Sequence, residues 1–353
     1  MADGATGLDI SQARLGDYLS AHVPGFSGLR DIAKFAAGQS NPTYRVTAVS
    51  GLYVLRAKPP GALLASAHQV EREYRVMAAL AGSAVPVPRV LHLATDDASP
   101  LGRAFFVMEH VAGRVFFDPA LPDVAPGQRG QIYDAMNATL AALHGLDPVA
   151  LGLADYGKPG NYFARQTERW AAQYAASTAD PLPDMLAVID WLGREMPPDD
   201  GQVALVHGDW RLDNLMIAPD GPQVRAVLDW ELSTLGHPLA DLAYQCMQWR
   251  LPHDAGMRGL GGLDRAALGL PDEAGYVVAY ARRRGIGPIA GWEFYLVFAF
   301  FRLAAILAGV AARAEAGNAS NPETARAYGA AVPRLAAMAL EITREGALEA
   351  GDG

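Results

Sequence analysis

The chain has 353 residues, 51% hydrophobic and 19% charged, with a single cysteine, Cys246. That length favours two lobes over one core, the balance excludes a disordered chain, and one cysteine excludes an intramolecular disulfide or a cysteine-rich zinc site. The net charge of −9 divides into +1 over residues 1–110 and −10 over the rest, with no basic stripe that would suit a nucleic acid.

Residues 8–22 read as a short helix, with Leu8, Ile10, Leu15 and Leu19 partly at helical spacing. From Leu29 the period shortens, and LRDIAKFAA, TYRVTAVS and LYVLRA read as three strands, the first two flanking GQSNP at 38–42. AHQVEREYRVMAAL, residues 67–80, predicts an amphipathic helix with Val70, Tyr74, Met77 and Leu80 on one face. VPVPRVLHLA and AFFVMEHV return the chain to extended structure, and Ala112-Gly113 reads as a linker. Beyond it helices dominate, predicted over 128–144, 162–176, 184–196, 239–250, 272–284, 292–314 and 321–345. The expected organisation is an N-lobe over 1–110, a small mixed lobe, and a C-lobe over 111–353, large and mostly helical.

The longest apolar run, Phe294 to Ala312, carries Arg302 near its centre, where a charge is costly in lipid. A buried helix is therefore expected there, and no membrane span. MADGATGLDI lacks the charged, then apolar, then small-residue pattern of a secretory leader, so a reducing cytoplasm is the expected compartment.

The chemistry concentrates in HGDWRLDN at 207–214, followed fifteen residues after Asn214 by Asp229 in VLDWE. LMIA, the turn signal PDGP, and QVRAVLD form a hairpin pattern, which makes Asn214 and Asp229 neighbours at its open end. An amide oxygen and a carboxylate so placed can grip Mg²⁺, a hard cation that often takes its other oxygens from phosphates. Asp209 is free to accept a proton from a substrate hydroxyl. Together these are the minimum equipment for phosphoryl transfer.

Other residues are weighed against plainer roles. Arg56, late in the third strand, and Glu73, in the following helix, can position nucleotide phosphates or be ordinary surface charges. Lys58 shares the strand face of Arg56, but Pro59-Pro60 suggests that the strand is already ending, which favours Arg56. Ser40 and Asn41 sit in a turn whose backbone N–H groups can meet phosphate oxygens, though a plain hairpin turn would look the same. Backbone groups of Glu109 and Val111 could meet an adenine edge, or simply connect the lobes. His207 reads as a brace for its loop, and Asp241 as a helix cap or an acceptor for the loop's N–H groups. Arg165 and Arg169, four apart on one helix, could meet an anionic substrate, as could Arg302, or the first two could pair with Glu168 and Asp180.

HGDWRLDN with LDWE and HPLADLAY resembles the aminoglycoside phosphotransferase and choline kinase superfamily, and YVLR, VEREY and VPVPRVLH follow that pattern in the same order. The resemblance covers roughly residues 30–345. It implies a bilobal protein-kinase-like α+β fold with an antiparallel sheet and one helix in the small lobe. It also implies Asp209 as catalytic aspartate, Asn214 and Asp229 as magnesium ligands, Arg56 on the phosphates and Glu73 as its partner. The chain departs from the pattern in lacking GxGxxG and in carrying arginine where lysine is usual. GQSNPTYRV, YGKPGNYFARQTERW and FFRLAAILAGVAAR are similar to a branch fused to acyl-CoA dehydrogenases in eukaryotes and free-standing in bacteria. That branch is associated with phosphorylation of hydroxyacyl-CoA thioesters. The expected activity is transfer of the γ-phosphate of ATP, or GTP, with Mg²⁺, to a small-molecule hydroxyl, a hydroxyacyl-CoA first among acceptors. The alternatives are an aminoglycoside or amino-alcohol acceptor, and a non-catalytic nucleotide-binding scaffold.

Overall fold

The computed structural model describes residues 8, 10–35, 41–60, 69–254, 257–315 and 322–351. In chain order the elements begin with α1 (Gln12–His22), β1 (Leu29–Lys34), β2 (Thr43–Ala48), β3 (Gly51–Ala57), α2 (Val70–Leu80), β4 (Val90–Ala94) and β5 (Phe105–Glu109). Next come α3 (Pro126–His144), α4 (Tyr162–Ser177), α5 (Pro183–Arg194), β6 (Ala204–Val206), β7 (Leu215–Ile217), β8 (Val224–Val227) and β9 (Thr234–Gly236). The chain closes with α6 (Leu239–Arg250), α7 (Glu273–Arg284), α8 (Trp292–Glu315) and α9 (Pro322–Gly351). Most expected elements are present, with α2 starting at Val70 and α9 running on to Gly351. The β6–β9 ladder is new: three-residue strands are too short to show a period.

The elements group into two compact units. The first comprises Met1–Val115, Leu151–Leu153 and Asn214–Ser233, and the second the remaining segments. The single division expected at 110/111 thus becomes an interleaved one, because the β7–β8 hairpin groups with the N-terminal sheet.

In the first unit the sheet has the order β1-β2-β3-β5-β4, every neighbouring pair antiparallel. Alternation drives it: Tyr44, Val46 and Ala48 of β2 point to one buried face and pack with Leu15 and Leu19 of α1 and Phe105 and Val107 of β5. Ser11 caps α1 by accepting the Arg14 N–H at 3.4 Å. Helix α2 buries Val70, Val76, Met77 and Leu80, and with them Glu73. The hairpin pairs Leu215 with Val227, and its open end is drawn in further where the Leu228 N–H donates to the Asn214 carbonyl at 2.9 Å. The linker after β5 zips onto it. Arg114 and Ile217 exchange backbone hydrogen bonds of 2.7 and 2.8 Å, and the Arg114 guanidinium donates to the carbonyls of Ala218 and Gly221. Gly113 makes this approach possible, since a Cβ there would lie 2.4 Å from Met216 Cγ and 2.7 Å from the Ile217 carbonyl oxygen.

The second unit is built around α8, which is apolar on every side and buried from Phe294 through Arg302. It packs against α4, α6 and α9. By length and composition α8 could cross a membrane, but 67% of its most apolar window is buried inside the unit, as a core helix would be. The short β6–β9 pair frames residues 207–213 on one side and the entry to α6 on the other.

Candidate active site

Within the first unit the site is assembled around Arg56. Its Nε lies 2.8 Å from Glu73 Oε2, a terminal nitrogen lies 2.5 Å from Asp229 Oδ1, and the same nitrogen is 3.9 Å from Glu231 Oε2. The other terminal nitrogen donates to Thr43 Oγ1 at 3.3 Å, as the pairing of Thr43 with Arg56 across β2 and β3 allows. Asn41 donates its amide to Glu73 Oε1 at 2.7 Å. Ser40 lies outside the described residues. Lys58 faces other partners, Glu71 at 2.6 Å and Asp96 at 2.9 Å, so Arg56 and not Lys58 is the cation beside Glu73 and Asp229.

Electrostatics sharpen this picture. Burial pushes the Glu73 carboxyl up to about 7, with Asp229 and Glu231 adding to the rise and Arg56 opposing it. Arg56 is held firmly protonated, since the attraction of Glu73, Asp229 and Glu231 outweighs its own burial. One guanidinium therefore faces three carboxylates, and the excess of negative charge favours a further cation.

Asp229 adopts φ 62°, a left-handed conformation that L residues other than Asn and Asp rarely take. It turns the chain sharply out of β8 at the hairpin's open end. Asn214, nearly buried, stands at the other arm of that end. Both offer hard oxygen atoms, and the Arg56 guanidinium against Asp229 is a stand-in cation at that carboxylate. Among the described residues no cluster of three or more His, Cys, Asp or Glu forms a metal cage. Two protein oxygens suit a Mg²⁺ that takes its remaining ligands from phosphate and water. Glu109 ends β5 and is tied to Arg89 through its backbone N–H at 3.0 Å and its carboxylate at 3.1 Å. Val111 follows in the linker, half-buried.

In the second unit the loop 207–209 is held from several directions. Asp241, buried in the first turn of α6, accepts the His207 N–H at 2.6 Å and the Gly208 N–H at 2.8 Å. Burial pushes the Asp241 carboxyl up, but the hydrogen bonds from His144 and the Gly208 N–H and the two nearby imidazoles outweigh that, so it stays below the usual carboxylate range. His144, held near neutral by burial, lies 3.3 Å from Asp241 and 2.7 Å from the Tyr280 hydroxyl. The His207 ring accepts the Asp209 N–H at 3.2 Å. Gly208 sits at φ 83°, where glycine is favoured, and its carbonyl accepts from Arg302 at 2.6 Å.

Three residues that contact these groups, two in the second unit and one in the first, carry no legible sequence signal of their own. Arg211 pairs with Asp209, its Nε 3.0 Å from Oδ1 and a terminal nitrogen 3.3 Å from Oδ2. Tyr244 hydrogen-bonds the same carboxylate from α6, and burial keeps its hydroxyl protonated. Glu231 joins the carboxylates about Arg56. The spacing from Asp209 to Arg211 and from Asp229 to Glu231 is two residues, and from Asp241 to Tyr244 three, which only a known local conformation makes meaningful.

Arg165, Arg169 and Arg302 do not converge on a shared feature. Arg165 donates to the carbonyls of Gly160, at 2.9 Å, and Lys158, closing the start of α4. Arg169 is exposed over the Trp170 ring at 5.1 Å. Arg302 is buried, its guanidinium 5.8 Å from the Trp170 ring centre and 5.4 Å from that of Tyr244. Its guanidinium donates to the Gly208 carbonyl.

An antiparallel five-stranded unit with one buried Arg–Glu pair, and a helical unit carrying an aspartate on a braced loop, define a protein-kinase-like α+β fold. The chain belongs to the phosphotransferase enzyme family, whose model matches residues 31–286. It is 44% identical over 342 residues to acyl-CoA dehydrogenase family member 10 of Mus musculus, covering 96% of this chain and 32% of that protein. It is 41% identical over 332 residues to acyl-CoA dehydrogenase family member 11 of Rattus norvegicus, covering 93% of this chain and 42% of the relative. The chain thus spans less than half the length of these relatives. Among solved structures, a Ralstonia eutropha JMP134 protein assigned provisionally to the aminoglycoside phosphotransferases superposes with a TM-score of 0.85 at 46% identity, covering 95% of this chain and 98% of its own. A choline kinase from Cryptosporidium parvum Iowa II shares the fold, at a TM-score of 0.63 and 12% identity over 95% of this chain and 96% of its own.

Proposed function

We propose that the protein transfers the γ-phosphoryl group of ATP to the hydroxyl of a small molecule, with a hydroxyacyl-CoA as the acceptor. The observation that carries the reading is the buried Arg56 of β3 facing Glu73 of α2 and, just beyond β8, Asp229 and Glu231. Such a cluster has little use in a core, where burying unbalanced charge is costly, but suits phosphates and their cation.

Arg56, kept in place by Glu73, neutralises charge on the nucleotide phosphates. Asn214 and Asp229 would hold Mg²⁺, which when bound screens the phosphate oxygens and favours departure of ADP. Asp209 accepts a hydrogen bond from the acceptor hydroxyl, orients its oxygen and takes the proton as the new P–O bond forms. Asp241, His207 and Arg302 keep that carboxylate where the hydroxyl must arrive. Little covalent work falls to the chain, so orientation and charge placement supply most of the rate.

The hydroxyacyl-CoA assignment draws on the identity, above 40%, to the two acyl-CoA dehydrogenase family members. A cationic acceptor is the second reading, favoured by one feature of the helical unit. There a cleft lined by Tyr162, Phe163, His237 and Tyr295 carries the carboxylates of Asp199 and Asp200. ADP release measured against hydroxyacyl-CoA thioesters, aminoglycosides and amino-alcohols separates the two. Turnover confined to the thioesters supports the first reading, and turnover confined to the cations replaces it. Binding of Mg·ATP with no turnover on any panel member would leave a nucleotide-binding scaffold.

A further inference from the structure

Arg211 is a charged residue in direct contact with the proposed base, and the reaction as described gives it no task. Its guanidinium contacts both oxygens of Asp209, at 3.0 and 3.3 Å, and approaches Asp213 Oδ2 at 3.4 Å. The side chain stays 37% exposed, so part of the donor fork is open to solvent. The loop does not need it for shape: Asp241, His207 and Arg302 hold its backbone, and Tyr244 holds the carboxylate. A guanidinium placed against a base only weakens that base, unless a second anion is to arrive beside it. A phosphoryl group delivered to a hydroxyl on Asp209 is such an anion.

We propose that Arg211 is a catalytic residue that binds the phosphoryl group during its transfer, bridging it to the Asp209 carboxylate. This rests on the phosphotransfer reading and extends it. The hydroxyl oxygen forms a bond to the γ-phosphorus, and the bond from that phosphorus to the bridging oxygen breaks. ADP leaves with the electron pair, and the hydroxyl proton passes to Asp209. Arg211 keeps all its protons and supplies only charge and directed N–H groups, a bidentate match for phosphoryl oxygens that lysine does not reproduce.

The test uses Mg·ADP with and without aluminium fluoride, a mimic of the phosphoryl group in flight, so it requires no identified acceptor. Binding is measured by calorimetry for the wild type, Arg211→Lys and Arg211→Met, with ligand-free melting recorded for each. Wild type is expected to bind Mg·ADP at least about tenfold more tightly with the fluoride present, in line with the preference of such sites for transition-state charge. Arg211→Met keeps its Mg·ADP affinity and its melting temperature but loses that increment, and Arg211→Lys retains a fraction. With an acceptor in hand, kcat falls about 10²–10³-fold in Arg211→Met while the KM for ATP holds. An undiminished fluoride increment in Arg211→Met overturns the proposal. So does a loss matched by equal loss of Mg·ADP affinity or of ligand-free melting, which marks a structural brace. Wild type that binds Mg·ADP yet gains nothing from fluoride overturns it too, while leaving the kinase reading intact. Failure of wild type to bind Mg·ADP at all removes the reading beneath it.

Discussion

Glu73 shows at the scale of one residue how function sets the cost of a buried charge. Its carboxyl is raised to about 7 by burial, from 4.5 in a solvated chain. The folded form therefore binds more protons than the unfolded form between those values, and stability falls as pH rises through that window. Glu73→Gln should accordingly melt higher than wild type at pH 8, by up to about 3 kcal/mol of stability, and match it near pH 4. The gain should come with weaker Mg·ATP binding, because Arg56 loses its partner; scanning calorimetry and nucleotide titration read the two effects. A wild type no less stable at pH 8 than Glu73→Gln would show that the Arg56 pair outweighs burial.

Asp241 has the opposite sign. Its folded carboxyl lies below the usual range, so its contribution is present above about 4, the unfolded value, and disappears as pH falls through the lower folded value. Asp241→Ala leaves the N–H groups of His207 and Gly208 and the buried His144 without that acceptor, which should cost about 2–5 kcal/mol. Urea unfolding at pH 7 measures it; a loss under 1 kcal/mol would mean that the loop finds other acceptors. Tyr244→Phe is milder: ring packing with Arg302 survives, melting stays put, and kcat falls as Asp209 loses a donor, which steady-state kinetics reads.

At the scale of elements, the hairpin decides where Asn214 and Asp229, the proposed metal ligands, stand. It was legible in the sequence, because PDGP between two apolar runs signals a turn and parity then fixes which ends meet. The binding of the 111–115 linker to that hairpin was not, since it depends on Gly113 and on backbone hydrogen bonds that any residue type can make. Gly113→Val places side-chain atoms on Met216 and the Ile217 carbonyl, and should destabilise the protein by about 1–3 kcal/mol. Nucleotide affinity should fall with it; a Gly113→Val protein with wild-type melting would show that the linker yields without cost. Helix α8 illustrates the reverse difficulty. Its apolar run alone cannot distinguish a core helix from a membrane span, and the charge of Arg302 was the one clue to its place.

At the scale of the molecule, periodicity and turn residues made the order of elements legible, and the motif at 207–229 made both arms of the hairpin legible. What stayed hidden were contacts made at short spacing by residues with common surface roles. Arg211 and Glu231 carry no sequence signal of their own, and only local backbone geometry brings them to Asp209 and Arg56. Arg165 and Arg302, candidate substrate contacts in the sequence, each hold a carbonyl of their own unit, which no spacing foretold. The family and the braced loop point to phosphotransfer, while the acceptor depends on helices whose sequences carry no comparable motif.

In the proposed reaction Asp209 serves a hydroxyl in Mg·ATP-dependent phosphoryl transfer. That role is tested most directly by ADP release with the best acceptor of the panel, compared between wild type and Asp209→Asn, with Mg·ATP binding followed by thermal shift. Nucleotide binding should be equal and turnover should fall roughly 10³-fold or more, the scale expected for loss of a residue that acts in the transition state. Undiminished ADP release from Asp209→Asn would contradict that role.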